Sequence, residues 1–335
     1  MKIGSRSIGP DYPPFIVAEL SGNHNGSLKR LLALVDAAAN AGADAVKLQT
    51  YTPETMTLNL DTPDFVVDKG PWAGETLWSL YEQAQTPWAW HAAVRDRCRA
   101  LGVEFFSTPF DLTAVAFLEE LGVPAYKIAS FEIGDLDLIR ACARTGKPIL
   151  VSTGMASADE ITLALRAAGR NAVFLHCISD YPAQPARMDL GALQRLPAPV
   201  GLSDHSPGHA AAVAAVVLGA CVIEKHVCLA RRHGGVDAAF SMEPHEFKEM
   251  AAACRDTWRA LRAPEGPVSV QGNDRYRRSL WVVRDVAAGE LFTRENVRAL
   301  RPGYGAHPAV LEQVLNCRAS VDVPAGTPMS LSLLT

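Results

Sequence analysis

Two histidines, two lysines and two carboxylates stand out in this chain, most of them because an apolar run ends on them. His205 closes VGLSDH and His226 closes VIEKH. Two neutral imidazoles brought together with open positions suit Mn²⁺, Zn²⁺ or Fe²⁺, with carboxylates and waters completing the shell. Lys47 in AVKLQT and Lys127 in AYKIAS have apolar neighbours on both sides. A lysine so placed is rarely buried without a partner; it clamps a phosphate or carboxylate, acts as a Schiff-base nucleophile, or snorkels to water. Glu19 ends FIVAE and Asp237 lies in GGVDAAFS. Beside a cation either carboxylate can act as acid, base or ligand, or it can simply anchor its loop. Hydroxyls at Ser107, Thr108, Ser130, Ser152 and Ser203 fall at similar run ends, where they either donate to an anion or cap the following helix.

These residues need a scaffold that delivers them to one place. Eight short apolar runs recur, FIVAEL (15–20), AVKLQT (45–50), VEFFST (103–108), AYKIAS (125–130), PILVST (148–153), AVFLHC (172–177), PVGLSD (199–204) and VIEKHV (222–227). Stretches of helical periodicity such as LKRLLALVDAAANAG separate them, and several close on Gly42, Gly102, Gly122, Gly146 or Gly219. Strands alternating with helices call for a parallel sheet, and eight such units in about 250 residues match a closed (β/α)₈ TIM barrel. In such a barrel the carboxyl ends of the strands share one face, where active sites are built. Nearly every run begins apolar and ends polar, as that placement requires. An insertion at 51–90 holds four of the six tryptophans and interrupts the rhythm after the second strand. It is read both as a wall of the site and as packing on the barrel rim.

The rest of the composition narrows the classes. Of 335 residues 20% are charged and the net charge is −4, which leaves no basic footprint for nucleic acid. No apolar stretch approaches the ~20 residues of a membrane span, and the start MKIGSRSIGPDYP has no apolar signal core. Seven scattered cysteines without a CxxC pair fit reduced thiols in the cytoplasm. Composition shifts at RAPEGPVSVQGNDR, giving a barrel at 1–261, a linker at 262–276 and a small β-rich module at 277–335. Similar turns at VAAGE and VPAGT suggest an internal pseudo-repeat in that module.

The stretches AELSGNHNGS, AGADAVKLQTYTPETMTL, FFSTPFD, AYKIASFEIGDL, KPILVSTGM, GLSDHSPG, IEKH and GGVDAAFS resemble, in order, the sialic acid synthase family. The module at 277–335 resembles that family's antifreeze-like (SAF) domain. The resemblance implies condensation of phosphoenolpyruvate with an open-chain N-acetylated aldose, giving a nine-carbon 2-keto-3-deoxy sugar acid and phosphate. LSGNHNGS, KLQTYTPETMTL and TPWAWH are most similar to the branch whose sugar is 2,4-diacetamido-2,4,6-trideoxy-L-altrose; sister branches take manno-configured N-acetyl sugars. Carried over by position, the resemblance implies His205 and His226 as ligands of a divalent metal, Mn²⁺ first. Lys47, Thr108, Lys127, Ser130, Ser152, Ser179 and Ser203 would hold phosphoenolpyruvate. Glu19 would manage protons, with Lys47, Lys127 and Asp237 sharing the catalytic work. Gln49, Glu132, Tyr181, Asp237 and Arg301 would meet the sugar, Arg301 from the partner subunit of a domain-swapped homodimer. One departure stands out: VCLARRHGG follows His226 where the family usually has an aromatic, a threonine and an acid, so this loop is expected to be more basic. A carbohydrate- or ice-binding protein, suggested by the small module alone, has no use for lysines and histidines at strand ends.

Overall fold

The computed structural model describes residues 1–197, 199–263 and 272–335, in two compact units, Met1–Ala263 and Pro264–Thr335. In the first, eight parallel strands close into a barrel: β1 (Phe15–Glu19), β2 (Ala45–Thr50), β3 (Glu104–Pro109), β4 (Tyr126–Ile128), β5 (Ile149–Ser152), β6 (Ala172–Cys177), β7 (Val200–Asp204) and β8 (Val222–His226). Each of the eight expected strands is present, and β8 pairs with β1 to close the ring. Register decides what faces inward. His226 pairs with Glu19, Glu19 with Lys47 and Lys47 with Phe106. One row below, Cys177 pairs with Ser203 and Ser203 with Glu224. Because side chains alternate along a strand, these two rows point into the barrel, while Ser107, His176, Asp204 and Lys225 point out.

Helices Leu28–Asn40, His91–Leu101, Leu112–Leu121, Leu136–Arg144, Ala158–Ala168 and Ala210–Val217 return the chain between strands, and Pro244–Ala260 follows β8. Their caps settle one alternative. Ser27, Asp111, Asp135 and Ser157 cap four of them through their side chains. The strand-end hydroxyls cap none of these and are left for other work. The expected alternation breaks once, after β6, where only 3₁₀ turns at Pro185–Arg187 and Leu190–Arg195 form. Pro182, Pro185, Pro197 and Pro199 crowd that connection. Proline lacks the amide that an α-helix interior needs.

Of the expected 262–276 linker, residues 264–271 lie outside the described residues. The second unit pairs Ser279–Val282 with Val297–Leu300 around a core of Leu280, Val282, Val286, Phe292, Val297, Val314, Val323 and Met329. The suspected pseudo-repeat is real and reciprocal. Val286 bridges Val323. Asp285 accepts from the Ala325 amide and Asp322 from the Ala288 amide, each at 2.7 Å. Both turns need a glycine, because Gly289 and Gly326 have φ of 80° and 88°, a left-handed conformation that costs a side chain.

Candidate active site

At the carboxyl end of the barrel four charges of alternating sign meet. Lys47 Nζ lies 2.5 Å from Glu19 Oε2 and 3.5 Å from Glu224 Oε1, and donates to Thr108 Oγ1 at 3.1 Å. Lys127 Nζ donates to Ser152 Oγ at 2.6 Å and lies 3.9 Å from the same Glu224 oxygen. Ser203 Oγ donates to Glu224 Oε1 at 3.4 Å. All four charged side chains are at least 96% buried. Burial alone would pull both ammoniums down. For Lys47 the carboxylates of Glu19 and Glu224 outweigh it and hold the amine above the ordinary lysine range. For Lys127 burial prevails and the amine sits below that range. Burial likewise lifts the Glu19 carboxyl above its ordinary value, against the opposing charge of Lys47. Burial pushes Glu224 the same way, but its two lysines win and hold it low.

The two lysines therefore differ in character. Snorkelling to the surface does not describe either lysine, since the side chains are only 4% and 3% exposed. Ser130 Oγ accepts from the Gly154 amide at 3.2 Å, and a side chain at Gly154 would collide with both Ser130 and Ser179. Ser179 Oγ is buried with no partner. A backbone N–H and two hydroxyls thus converge beside Lys127. Ser107 is not among them: it bonds Thr50 Oγ1 at 2.6 Å on the outer wall.

Above the charges opens a cavity of about 660 Å³, lined by Gln49, Tyr51, Trp72, Tyr81, Glu132, Ser179, Tyr181, His226, Asp237 and Phe240 among others. Gln49 donates to Glu19 Oε1 at 3.0 Å, joining cavity and clamp. The two histidine rings sit 5.3 Å apart between centroids. His205 Nδ1 faces the Ile178 carbonyl at 3.0 Å, which directs Nε2 elsewhere. His226 Nδ1 is buried without a hydrogen-bond partner, 3.8 Å from Asp237 Oδ2. Burial holds the His226 imidazole well below its ordinary pKa, in the neutral form a metal needs, and lifts Asp237 to about 6. Among the described residues no group of three or more His, Cys, Asp or Glu converges on one point. Two imidazoles with one nearby carboxylate fit an open catalytic shell completed by substrate and water rather than a closed structural one.

The 51–90 insertion does both things expected of it. Trp72 lines the cavity and its Nε1 donates to the Val236 carbonyl at 2.8 Å, fastening the insertion to the Asp237 loop. Trp88 and Trp90 instead pack on the rim, against Phe117 and His24. In the basic loop after β8 one arginine is already engaged. Arg231 is paired with Glu246 at 2.6 Å and donates to the Ser241 carbonyl, while Cys228 and Ala230 are buried. His176, also a strand-end residue, faces out to the Met188 carbonyl. Arg301 lies exposed in the second unit, just past Leu300. Glu224, inside the run VIEKHV, is a site residue to which the sequence reading assigns no role. The signal was available, since Glu224 stands two residues before His226 and must share its face.

Glu132 offers a test of the cavity's polarity. Burial lifts its carboxyl to about 7, despite the nearby Lys127. A carboxyl raised in the fold favours folding below its unfolded value of 4.5, and that benefit is lost as pH rises through about 7. The full difference amounts to about 3 kcal/mol. Glu132→Gln is therefore expected to match the parent near pH 4.5 and exceed it in stability by up to ~3 kcal/mol above pH 8. Denaturant melts at the two pH values check this; an equal difference at both would refute it.

A parallel barrel with buried lysines and hydroxyls beneath a cavity at its carboxyl end suits an enzyme that binds a small anion beside a second substrate. The chain belongs to the NeuB family, whose model matches residues 34–265, and carries a SAF domain at 277–335. It is 40% identical to the pseudaminic acid synthase of Campylobacter jejuni, covering 97% of each chain, and 41% identical to that of Helicobacter pylori, covering 95% of this chain and 97% of that one. Among solved structures it is similar to the N-acetylneuraminic acid synthetase of Leptospira borgpetersenii in complex with citrate. There the identity is 31% and the TM-score 0.71, over 82% of this chain and 94% of that one.

Proposed function

We propose that this enzyme condenses phosphoenolpyruvate with 2,4-diacetamido-2,4,6-trideoxy-L-altrose, giving pseudaminic acid and phosphate. The observation that carries the chemistry is the pair of buried ammoniums, Lys47 and Lys127, set among Thr108, Ser152 and Ser130 beneath the cavity. A phosphorylated carboxylate matches two cations ringed by hydroxyls. Similarity to two pseudaminic acid synthases over nearly the whole chain supports the choice of sugar.

In this reading Lys47, Thr108, Lys127, Ser130, Ser152, Ser179 and Ser203 hold phosphoenolpyruvate. Gln49, Glu132, Tyr181 and Asp237 orient the open-chain sugar above it. C3 of phosphoenolpyruvate bonds to the aldehyde carbon, whose oxygen takes up a proton. Water then adds at C2 and gives up its proton. The C2–O bond breaks with the electron pair leaving on phosphate, and loss of the C2 hydroxyl proton makes the ketone. Glu19, buried against Lys47 with its carboxyl raised, is suited to giving and retrieving these protons. A divalent cation, Mn²⁺ in this reading, would be held by His205 and His226 and supplies Lewis-acid polarisation of the aldehyde oxygen when bound. His226 Nδ1, neutral and without a partner, supports that assignment. The reading extends to a cytoplasmic homodimer in which Arg301 reaches the partner's sugar, with neither membrane nor nucleic acid as partner; free thiols in the described structure agree with a reducing setting.

The test is phosphate release from phosphoenolpyruvate with Mn²⁺, offering the altrose, its D-manno counterpart and N-acetylmannosamine separately. Turnover on the altrose alone is expected. Turnover only on a manno sugar would transfer the enzyme to the legionaminate or neuraminate branch, and no phosphate release with any of them would overturn the reaction itself.

A further inference from the structure

The strands that end at His205 and His226 carry a second pair facing the opposite way. Asp204 and Lys225 are direct partners in the β7–β8 ladder, on the outer wall of the barrel. Lys225 Nζ lies 2.7 Å from Asp204 Oδ2, and the two side chains are 1% and 0% exposed. Each is also tied to the loop that follows β7. Asp204 Oδ1 accepts from the Ser206 amide at 2.8 Å and from its hydroxyl at 2.6 Å. Lys225 Nζ donates to the Gly208 carbonyl at 3.2 Å and to the Ser206 carbonyl. The segment 204–208, with His205 inside it, is therefore bound at several points to one charge pair, and that pair is anchored on the strand that delivers His226.

We infer that Asp204 and Lys225 are positioning residues: from outside the barrel they fix the relative placement of the His205 and His226 imidazoles that a divalent cation must share. The inference rests on the metal reading above. Stability alone is a poor explanation for the pair. A fully buried ion pair spends most of its attraction on desolvation, and well-packed apolar residues of similar volume commonly replace it without loss. What an apolar pair cannot do is hold the Ser206 amide and the Ser206 and Gly208 carbonyls. Groups that orient metal ligands without touching the metal typically change its affinity 10–100-fold when removed, so a loss of roughly that size is expected here.

The experiment compares the full-length wild type, His226→Ala, and the double variant Asp204→Leu/Lys225→Met, titrating Mn²⁺ by the paramagnetic resonance of the free ion. A wild type that binds no Mn²⁺, or a His226→Ala variant that binds it unchanged, sinks the metal reading and this inference with it. With that reading intact, the double variant is expected to keep a melting temperature near the wild type's while its Mn²⁺ Kd rises roughly 10–100-fold. Wild-type melting together with wild-type Mn²⁺ affinity would overturn the positioning role alone. Should the double variant melt far below the wild type, Asp204→Asn decides. This variant removes the charge but keeps an acceptor for Ser206, and it is titrated at a temperature where circular dichroism shows it folded. Weakened Mn²⁺ binding then upholds the role, and unchanged binding overturns it.

Discussion

Lys47→Met is expected to reduce kcat/KM by about 10³-fold or more and to destabilise the barrel at the same time. Loss of one preorganised electrostatic donor typically costs 10²–10³-fold in rate. Lys47 does more than donate, because it also sets the charge on Glu19 at 2.5 Å. With the ammonium gone, Glu19 keeps its burial and its repulsion from Glu224 and loses its main compensation. Its carboxyl, already raised, then rises further, so it holds its proton to higher pH and is a poorer acceptor. Removing one partner of a buried pair costs about 3–5 kcal/mol. The sign of the pH dependence follows. A carboxyl raised in the fold penalises folding above its unfolded value and not below it, so the deficit of Lys47→Met grows as pH rises and shrinks as pH falls toward 4.5. Lys47→Arg should recover much of the stability, because a cation remains, yet little of the rate, because a planar guanidinium misplaces the donor. Phosphate-release kinetics and denaturant melts at two pH values measure both effects. Turnover within tenfold of the parent would show that Lys47 is not part of the clamp.

What could be read from the sequence was the scaffold and the residues sharing its inner face. Eight apolar runs ending in polar groups are enough to place Glu19, Lys47, Lys127 and His226, because strand alternation carries each side chain to a defined side. Applied one step further, the same rule separates Thr108 from Ser107 and Ser203 from Asp204, which residue type alone treats as equivalent. The hydroxyls were ambiguous for a physical reason: serine at a strand end is equally good as a helix cap, and only the presence of Ser27, Asp111, Asp135 and Ser157 at the caps frees the others. The missing helix after β6 was signalled by its prolines. The pairing of Arg231 in the loop after β8 was not legible, since its partner Glu246 comes from a helix that begins only at Pro244. Nor could sequence show that Trp72, from the insertion, would bond to the loop of Asp237 across 164 positions.

Glu224→Gln is expected to lower kcat by about 10²-fold or more without raising the KM for phosphoenolpyruvate at neutral pH, an unusual split for a residue in an anion site. Among the described residues Glu224 is the one carboxylate within 4 Å of both lysines, at 3.5 Å from Lys47 and 3.9 Å from Lys127. In the free enzyme it balances two buried cations. Once a phosphorylated carboxylate arrives, the same charge repels it, with a strength on the order of 4 kcal/mol for unit charges ~4 Å apart at an effective dielectric of 20. Replacing Glu224 by the isosteric amide removes that repulsion, so ground-state binding of the anion tightens. The departing phosphate dianion is then held by unopposed lysines and leaves slowly. Lys127 supplies the second consequence. Burial already holds its amine low and Glu224 is its strongest support; without that support it loses its proton at a lower pH. Binding needs the ammonium, so in the variant the KM for phosphoenolpyruvate should start to climb at a lower pH than in the parent. Steady-state kinetics across pH 6–9 together with a single-turnover phosphate burst separate these effects. A KM raised tenfold at pH 7 with kcat unchanged would mean that Glu224 assists anion binding, and the charge-balancing role would fall.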